Sequence, residues 1–257
     1  MTNKAVLKKH VKNIVPTDDA VLIIGVANAG LVGTICATYI NEKLDTHEIA
    51  HISSPLFPPI SVFLNGILKF PCRIYADAHE GPASVFIATT ELPVGEKEVY
   101  HDVAHVLVDF AKESGIKSIV VVSGFPVQNV GEYNVYFAAE PEILDRLKKI
   151  EGIEPLPKGM LHGMEALILN ETLEKDLDGF TLISPAHANM PDVMAAAAII
   201  EVLNKIFEHL NIDVTDLKAR DALIKAQLRE IALQIEKQNQ NERQGAPPSK
   251  SVDSLFT

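Results

Sequence analysis

The apolar positions of this chain fall into short unbroken runs and longer helical stripes, and their alternation predicts a layered fold. Val21 to Ile24 is one such run; Gly25 stops it, and about four turns of helical periodicity follow, opened by Gly30 and Gly33. This spacing predicts a buried strand feeding a helix over Ile35–Leu44, the first half of a βαβ unit. Residues 1–19 read as a mildly amphipathic lead-in, with Pro16 to Asp19 forming a turn, and Glu48 to Ser53 predicts a second short strand. In Ser53 to Gly66, Pro55, Pro58 and Pro59 withhold backbone donors and hold the chain extended. They put Leu56 and Phe57 at the tip of a rigid apolar loop, which either packs beneath something or is a contact site.

Asn65-Gly66, between Ser61–Leu64 and Ile67–Phe70, is a hairpin signal, because a type I′ turn wants positive φ at both central residues. Strands are expected over 73–78 and 83–90, and a helix from Glu96 to Ser114, ended by Gly115. Lys117 to Ser123 is then a continuous Ile/Val run, the pattern of a strand buried on both faces of a parallel sheet. Tyr133–Ala139 predicts a weaker strand, Pro141 to Ile150 a short helix, and Gly179 to Ser184 the last strand, while Gly159 to Glu174 is ambiguous. Pro191-Asp192 opens a helix with proline in its first turn, continued by Val193 to Leu210 with a close-packing Ala195–Ala198 block. The expected fold is α/β and three-layer, its sheet mostly parallel with an inserted antiparallel hairpin.

From Thr215, read as a cap, Leu217, Ile224, Leu228, Ile231 and Ile235 form a narrow apolar stripe flanked by charged and amide side chains. A lone helix of about three heptads is marginal, so the stripe either covers its own domain or meets another subunit. Gln238 to Ser254 is polar and is expected to be disordered. The chain thus divides into an α/β domain over 1–210, an amphipathic helix over 211–238 and a flexible tail over 239–257.

Composition narrows the function. A net charge of −11, from 34 acidic against 23 basic residues, argues against nucleic-acid binding, which needs a basic surface. Lys4, Lys8, Lys9 and Lys12 form the one basic cluster, read as a solvated helix end. Cys36 and Cys72 lie far apart in apolar surroundings, as thiols in a reducing compartment do. There is no secretory h-region and no stretch of about 18 apolar residues, so the expectation is a cytoplasmic protein with no membrane partner.

Candidate chemistry is sparse. Gly25, Gly30 and Gly33 make neither the dinucleotide spacing nor a P-loop, and close helix–strand packing explains them. His101 and His105 share a helix face, but Asp102 stands where a zinc protease needs Glu and no third ligand is spaced for them, so no metal is expected. Ser123 follows a buried strand without the flanks of a nucleophile elbow. Asn28, Glu91, Ser123 and His187 fall at strand ends, where α/β proteins bind ligands. Together with Leu56 and Phe57 they are the candidate ligand or interface residues, with Glu91/His187 as a conceivable acid–base pair. Leu255, Phe256 and Thr257 form a candidate docking peptide, two apolar anchors beside a carboxylate. Burying the two anchors is worth roughly 1.5–3 kcal/mol each, so several copies on an oligomer are needed for firm binding.

The order of GVANAGLVG (Gly25–Gly33), SPLFPPISVFLNG (Ser54–Gly66), VVVSGFP (Val120–Pro126) and NIDVTDLKARDALIKAQLREI (Asn211–Ile231) resembles the PAC2 family, archaeal relatives of proteasome assembly chaperones. The resemblance implies a phosphorylase-like α/β fold, homo-oligomers and binding to proteasome α subunits without catalysis or cofactor. It also implies a C-terminal hydrophobic-Tyr-any motif that enters pockets between α subunits. Here Leu255-Phe256-Thr257 stands in that place, Phe256 lacking the tyrosine hydroxyl. Some family members carry an ATP-grasp label, for which this chain has no recognisable phosphate loop. The competing expectation is a small-molecule-binding protein or enzyme, ATP-grasp-like or phosphorylase-like, using the strand ends.

Overall fold

The computed structural model describes residues 5–92, 97–188 and 190–221. At its centre, strands β2 (Ile14–Val26), β7 (Gly81–Thr90), β8 (Ser118–Val127) and β11 (Asp178–His187) carry buried, largely apolar central runs because helices cover both faces. Val21 and Ile23 of β2 face one core with Val120 and Val122 of β8, while Leu22 and Ile24 face the other with Ile119 and Val121. Helices α1 (Val32–Lys43), α3 (Pro141–Leu147) and α5 (Val193–Ile206) close the first core, and α2 (Lys97–Ser114) and α4 (Met164–Lys175) close the second. The result is the expected three-layer α/β architecture with a large, mostly parallel sheet.

Among the described residues nine strands make that sheet, in the order β1 (Val6–Lys9), β3 (His47–Ser53), β6 (Cys72–Ala76), β7, β2, β8, β11, β9 (Val135–Ala139), β10 (Ile153–Pro155). The four central strands run parallel, whereas β1, β3, β6 and β7 pair antiparallel and β9 turns against β11. The expected hairpin, β4 (Val62–Leu64) and β5 (Ile67–Lys69), forms a separate two-stranded sheet. Asn65 at φ 50° and Gly66 at φ 80° supply its turn.

The N-terminal readings need correction. Residues 6–9 are an edge strand, and Pro16 to Asp19 lie inside β2, where the ladder to β7 shifts register between Pro16 and Val21. Proline is tolerated there because the irregularity needs no donor. Lys8 and Lys9 therefore sit on a sheet edge, where charge discourages further strand pairing, rather than at a helix end. The ambiguous stretch becomes helical from Met164, in α4, and the short β10 carries no apolar run that marks it in the sequence. Pro191 precedes α5, whose first turn is capped by the Asp192 carboxylate, and α5 ends at Ile206.

A further helix, α6, begins at residue 215. Its entry is held by Asp213, which accepts from the Thr215 amide and hydroxyl, so Thr215 is not itself the cap. Leu217 is buried in the core shared by α1 and α5, and Tyr39 of α1 donates to Asp213 O at 2.8 Å. The start of the stripe thus covers its own domain; residues 222–238, and the tail with Leu255, Phe256 and Thr257, lie outside the described residues.

Candidate functional site

The C-terminal ends of the parallel strands form the rim of a crevice. Beyond Val26, Asn28 accepts a hydrogen bond from the Ala29 amide and starts a short 3-10 turn, Ala29–Leu31, that leads into α1. The start of α1 packs tightly on the sheet: a Cβ on Gly33 would collide with the backbone of Val122 and Val26, and one on Gly25 with Gly33 O. The glycines serve close helix–strand packing, as the spacing implied. An open cavity of about 750 Å³ lies outside the turn, lined by Asn28, Leu31, Thr34, Ile60, Glu91 and Ala188. A second, of about 260 Å³, shares Asn28 and extends to Tyr100 and His162. Two expected site residues, Asn28 and Glu91, therefore share one crevice, and His187 adjoins it through Ala188.

Several polar groups around this rim pair with neighbouring side chains. Arg73 of β6, 2% exposed, donates from both terminal nitrogens to the two oxygens of Glu91, each at 3.0 Å. The same guanidinium donates to Tyr75 Oη at 2.7 Å and to Phe70 O, and burial pushes the Tyr75 hydroxyl above the ordinary tyrosine range. A bidentate arginine holds Glu91 in a charge-assisted pair rather than leaving it to move protons.

His187 is paired elsewhere. Its Nδ1 lies 2.6 Å from Asp192 Oδ2, which also accepts from the His187 amide at 3.1 Å, while Oδ1 accepts from Ala195 N as the α5 cap. Asp192 is 2% exposed, and its own amide donates to Gly30 O at 2.8 Å. Burial and then the Asp192 carboxylate push the Tyr133 hydroxyl up to about 12. The expected Glu91/His187 pair gives way to two separate dyads, Arg73–Glu91 and His187–Asp192.

Ser123 faces inward. Its hydroxyl donates to Glu165 Oε2 at 2.9 Å, and Thr181 Oγ1 lies 2.6 Å from Glu165 Oε1 and 3.0 Å from Val121 O. One threonine proton cannot serve both acceptors, so the Thr181 hydroxyl donates to one of them at a time. Burial raises Glu165 above the usual carboxyl range, opposed by its bonds to Thr181 and Ser123. Sequence reasoning missed this acid because Met164–Lys175 carried no clear period. His105, on α2, turns to Asp109 at 3.2 Å and Glu171 at 3.1 Å, which Lys175 also bridges.

The second notable surface is the β4–β5 arm. Phe63 is 71% exposed and Leu68 74%, with Leu64, Ile67, Phe70 and Ile60 also open to solvent. Leu56 and Phe57 are half-buried against the second core, the packed one of the two alternatives for this loop. The contact reading fits the hairpin that follows them, which the turn signal located without revealing that both of its faces are apolar.

The family model described as PAC2 family matches residues 22–232. This chain belongs to the PAC2 family. A PAC2 relative in solved structures is Pyrococcus furiosus PbaA, an archaeal homologue of proteasome-assembly chaperone, 26% identical with a TM-score of 0.80 over 93% of this chain and 97% of that one. Pyrococcus furiosus PbaB, an archaeal proteasome activator, shares the PAC2 fold at 22% identity and a TM-score of 0.76 over 90% of this chain and 100% of that one. An uncharacterised protein of Methanocaldococcus jannaschii is 25% identical over 251 residues, 95% of either chain.

Proposed function

We propose that this PAC2 protein is a cytoplasmic, non-enzymatic chaperone or adaptor of proteasome assembly that works as a homo-oligomer and binds proteasome α subunits. The whole-chain likeness to a homologue of proteasome-assembly chaperone, at 26% identity, carries the reading. The absence of catalysis is supported by the pairing of the candidate groups, Glu91 with Arg73, Ser123 with Glu165 and His187 Nδ1 with Asp192. Self-association is supported by the arm. Copies that each carry −11 repel, so contact favours a patch of low charge, and between residues 60 and 70 only Lys69 is charged.

In this reading Leu255, Phe256 and Thr257 are anchors for α subunits, a role that rests on the sequence alone. The test is co-purification of α subunits with the full chain and with a chain ending at Ser254. The full chain should retain α subunits and the shortened one should retain clearly less; equal retention removes the tail from the mechanism, and no retention by either overturns the partner.

One observation favours a second reading, ligand binding: the crevice of about 750 Å³ that holds Asn28 and Glu91. A thermal-shift series against nucleotides and nucleosides, with Asn28→Ala beside the wild type, distinguishes it: a ligand held in the crevice raises the melting temperature of the wild type more than that of the variant.

A further inference from the structure

Away from the crevice, three side chains meet at the root of the apolar arm. His10 follows the last residue of β1 and its amide donates to Ile49 O at 2.7 Å. Glu48 and His51 both lie on β3, three residues apart, and on a regular strand they would face opposite sides. The ladder from β3 to β6 breaks that rule: Glu48 pairs with Tyr75 and Ala50 with Ile74, so Ile49 is an extra residue. Such a bulge re-aims the side chains beyond it. His51 Nδ1 therefore comes within 2.8 Å of His10 Nε2, which stands 3.7 Å from Glu48 Oε1. One ligand atom from each residue falls within 4.8 Å of the others.

The surroundings hold two of the three in place. The Lys69 ammonium binds Glu48 Oε2 at 2.6 Å and leaves Oε1 turned to the histidines. The His51 ring, 5% exposed, stacks on Phe70 with centroids 3.7 Å apart and planes 3° from parallel. Orientation of ligands by such outer contacts is how metal sites are tuned.

We propose that His10, Glu48 and His51 bind one divalent transition ion of the zinc type, with water in the fourth position. Two imidazole nitrogens and one carboxylate oxygen are a zinc donor set. At zinc–nitrogen lengths a tetrahedral pair of nitrogens stands roughly 3.3 Å apart, so the rings must part by about half an ångström. His10 supplies that motion, being the exposed member of the cluster and lying past the end of an edge strand. Binding replaces the His10–His51 hydrogen bond by two metal bonds and displaces the proton it holds. The ion would clip the edge strand to the bulge that also seats Lys69 and Phe70. The inference is independent of the proposed chaperone role.

The test is calorimetric titration of the chelator-stripped full chain with zinc chloride, alongside His10→Ala, Glu48→Gln and, as a control among the other histidines, His105→Ala. One zinc per chain is expected for the wild type and His105→Ala. His10→Ala and Glu48→Gln should weaken it at least about tenfold and lose the zinc-dependent rise in melting temperature. Because His10 is exposed, its variant keeps the metal-free melting temperature and separates lost binding from lost fold. The proposal is overturned if the wild type fails to bind one zinc, or if binding survives both substitutions.

Discussion

The parallel centre and the antiparallel flank of this sheet are built on opposite terms. From Val21 to Val26 of β2 and from Ser118 to Gly124 of β8 every residue is covered and most are apolar, and the buried Ser123 and, on β11, Thr181 find a buried partner in Glu165. On β3 and β6 the same sheet carries Glu48, His51, Arg73 and Tyr75, and it extends an arm whose large side chains face solvent. The centre has stability to lose and little chemistry to offer, whereas the flank has the reverse balance.

Substitution can break this comparison or sharpen it, and the largest effect belongs to the centre. Gly33→Ala would push a methyl into the backbone of two strands, Val26 and Val122, neither of which can swing aside. A loss of about 4 kcal/mol in urea unfolding is expected, beyond ordinary overpacking because the obstacles are main chain. Gly66→Ala, with open space around it at φ 80°, is the matching substitution in the arm and should cost only about 1 kcal/mol.

Next comes the boundary between the two regions. Glu91→Ala leaves the buried Arg73 guanidinium without its counter-charge, and loss of one partner of such a pair costs about 3 kcal/mol. A cost below about 1 kcal/mol by the same unfolding measurement would show that water reaches Arg73 and that the rim is looser than its geometry.

The third effect depends on pH. Burial lifts the Glu165 carboxyl, so the folded state keeps a proton that the unfolded chain releases above about 4.3. The stability this provides is complete below that value and is lost as pH rises through the folded-state value. Glu165→Gln abolishes the loss. Urea unfolding at rising pH should show the variant gaining on the wild type, by about 1.4 kcal/mol per pH unit between the two values, and then levelling off.

Smallest in stability is the arm itself. Phe63→Ser with Leu68→Ser removes one exposed ring and one exposed aliphatic side chain, so monomer stability should move by no more than about 0.5 kcal/mol. Light scattering should nonetheless show a smaller assembly, and an unchanged mass would take self-association away from the arm.

Much of this was legible wherever the signal was local. The Asn65-Gly66 turn needs only its own two backbone angles, and the Lys117–Ser123 run announces its burial by composition. The N-terminal strand was not legible, since Val6–Lys9 has the lysines of an edge and Pro16 looks like a stop until β7 lies beside it. Site residues divide the same way. Asn28 and Glu91 could be placed at strand ends from the order of elements, but Arg73, Asp192 and Glu165 matter through partners 18, 5 and 42 residues away. His10 and His51, 41 residues apart, meet through a bulge that no spacing rule encodes.

The pairing of Ile52 with Cys72 places the two ends of the proline-rich excursion side by side in the main sheet. Everything between them, arm included, is therefore topologically a detour: the nine-stranded body closes across its base and owes it no ladder bond. An arrangement of that kind lets the protruding segment be lengthened, shortened or exchanged among relatives without re-solving the fold, so that partner choice and foldability can drift separately.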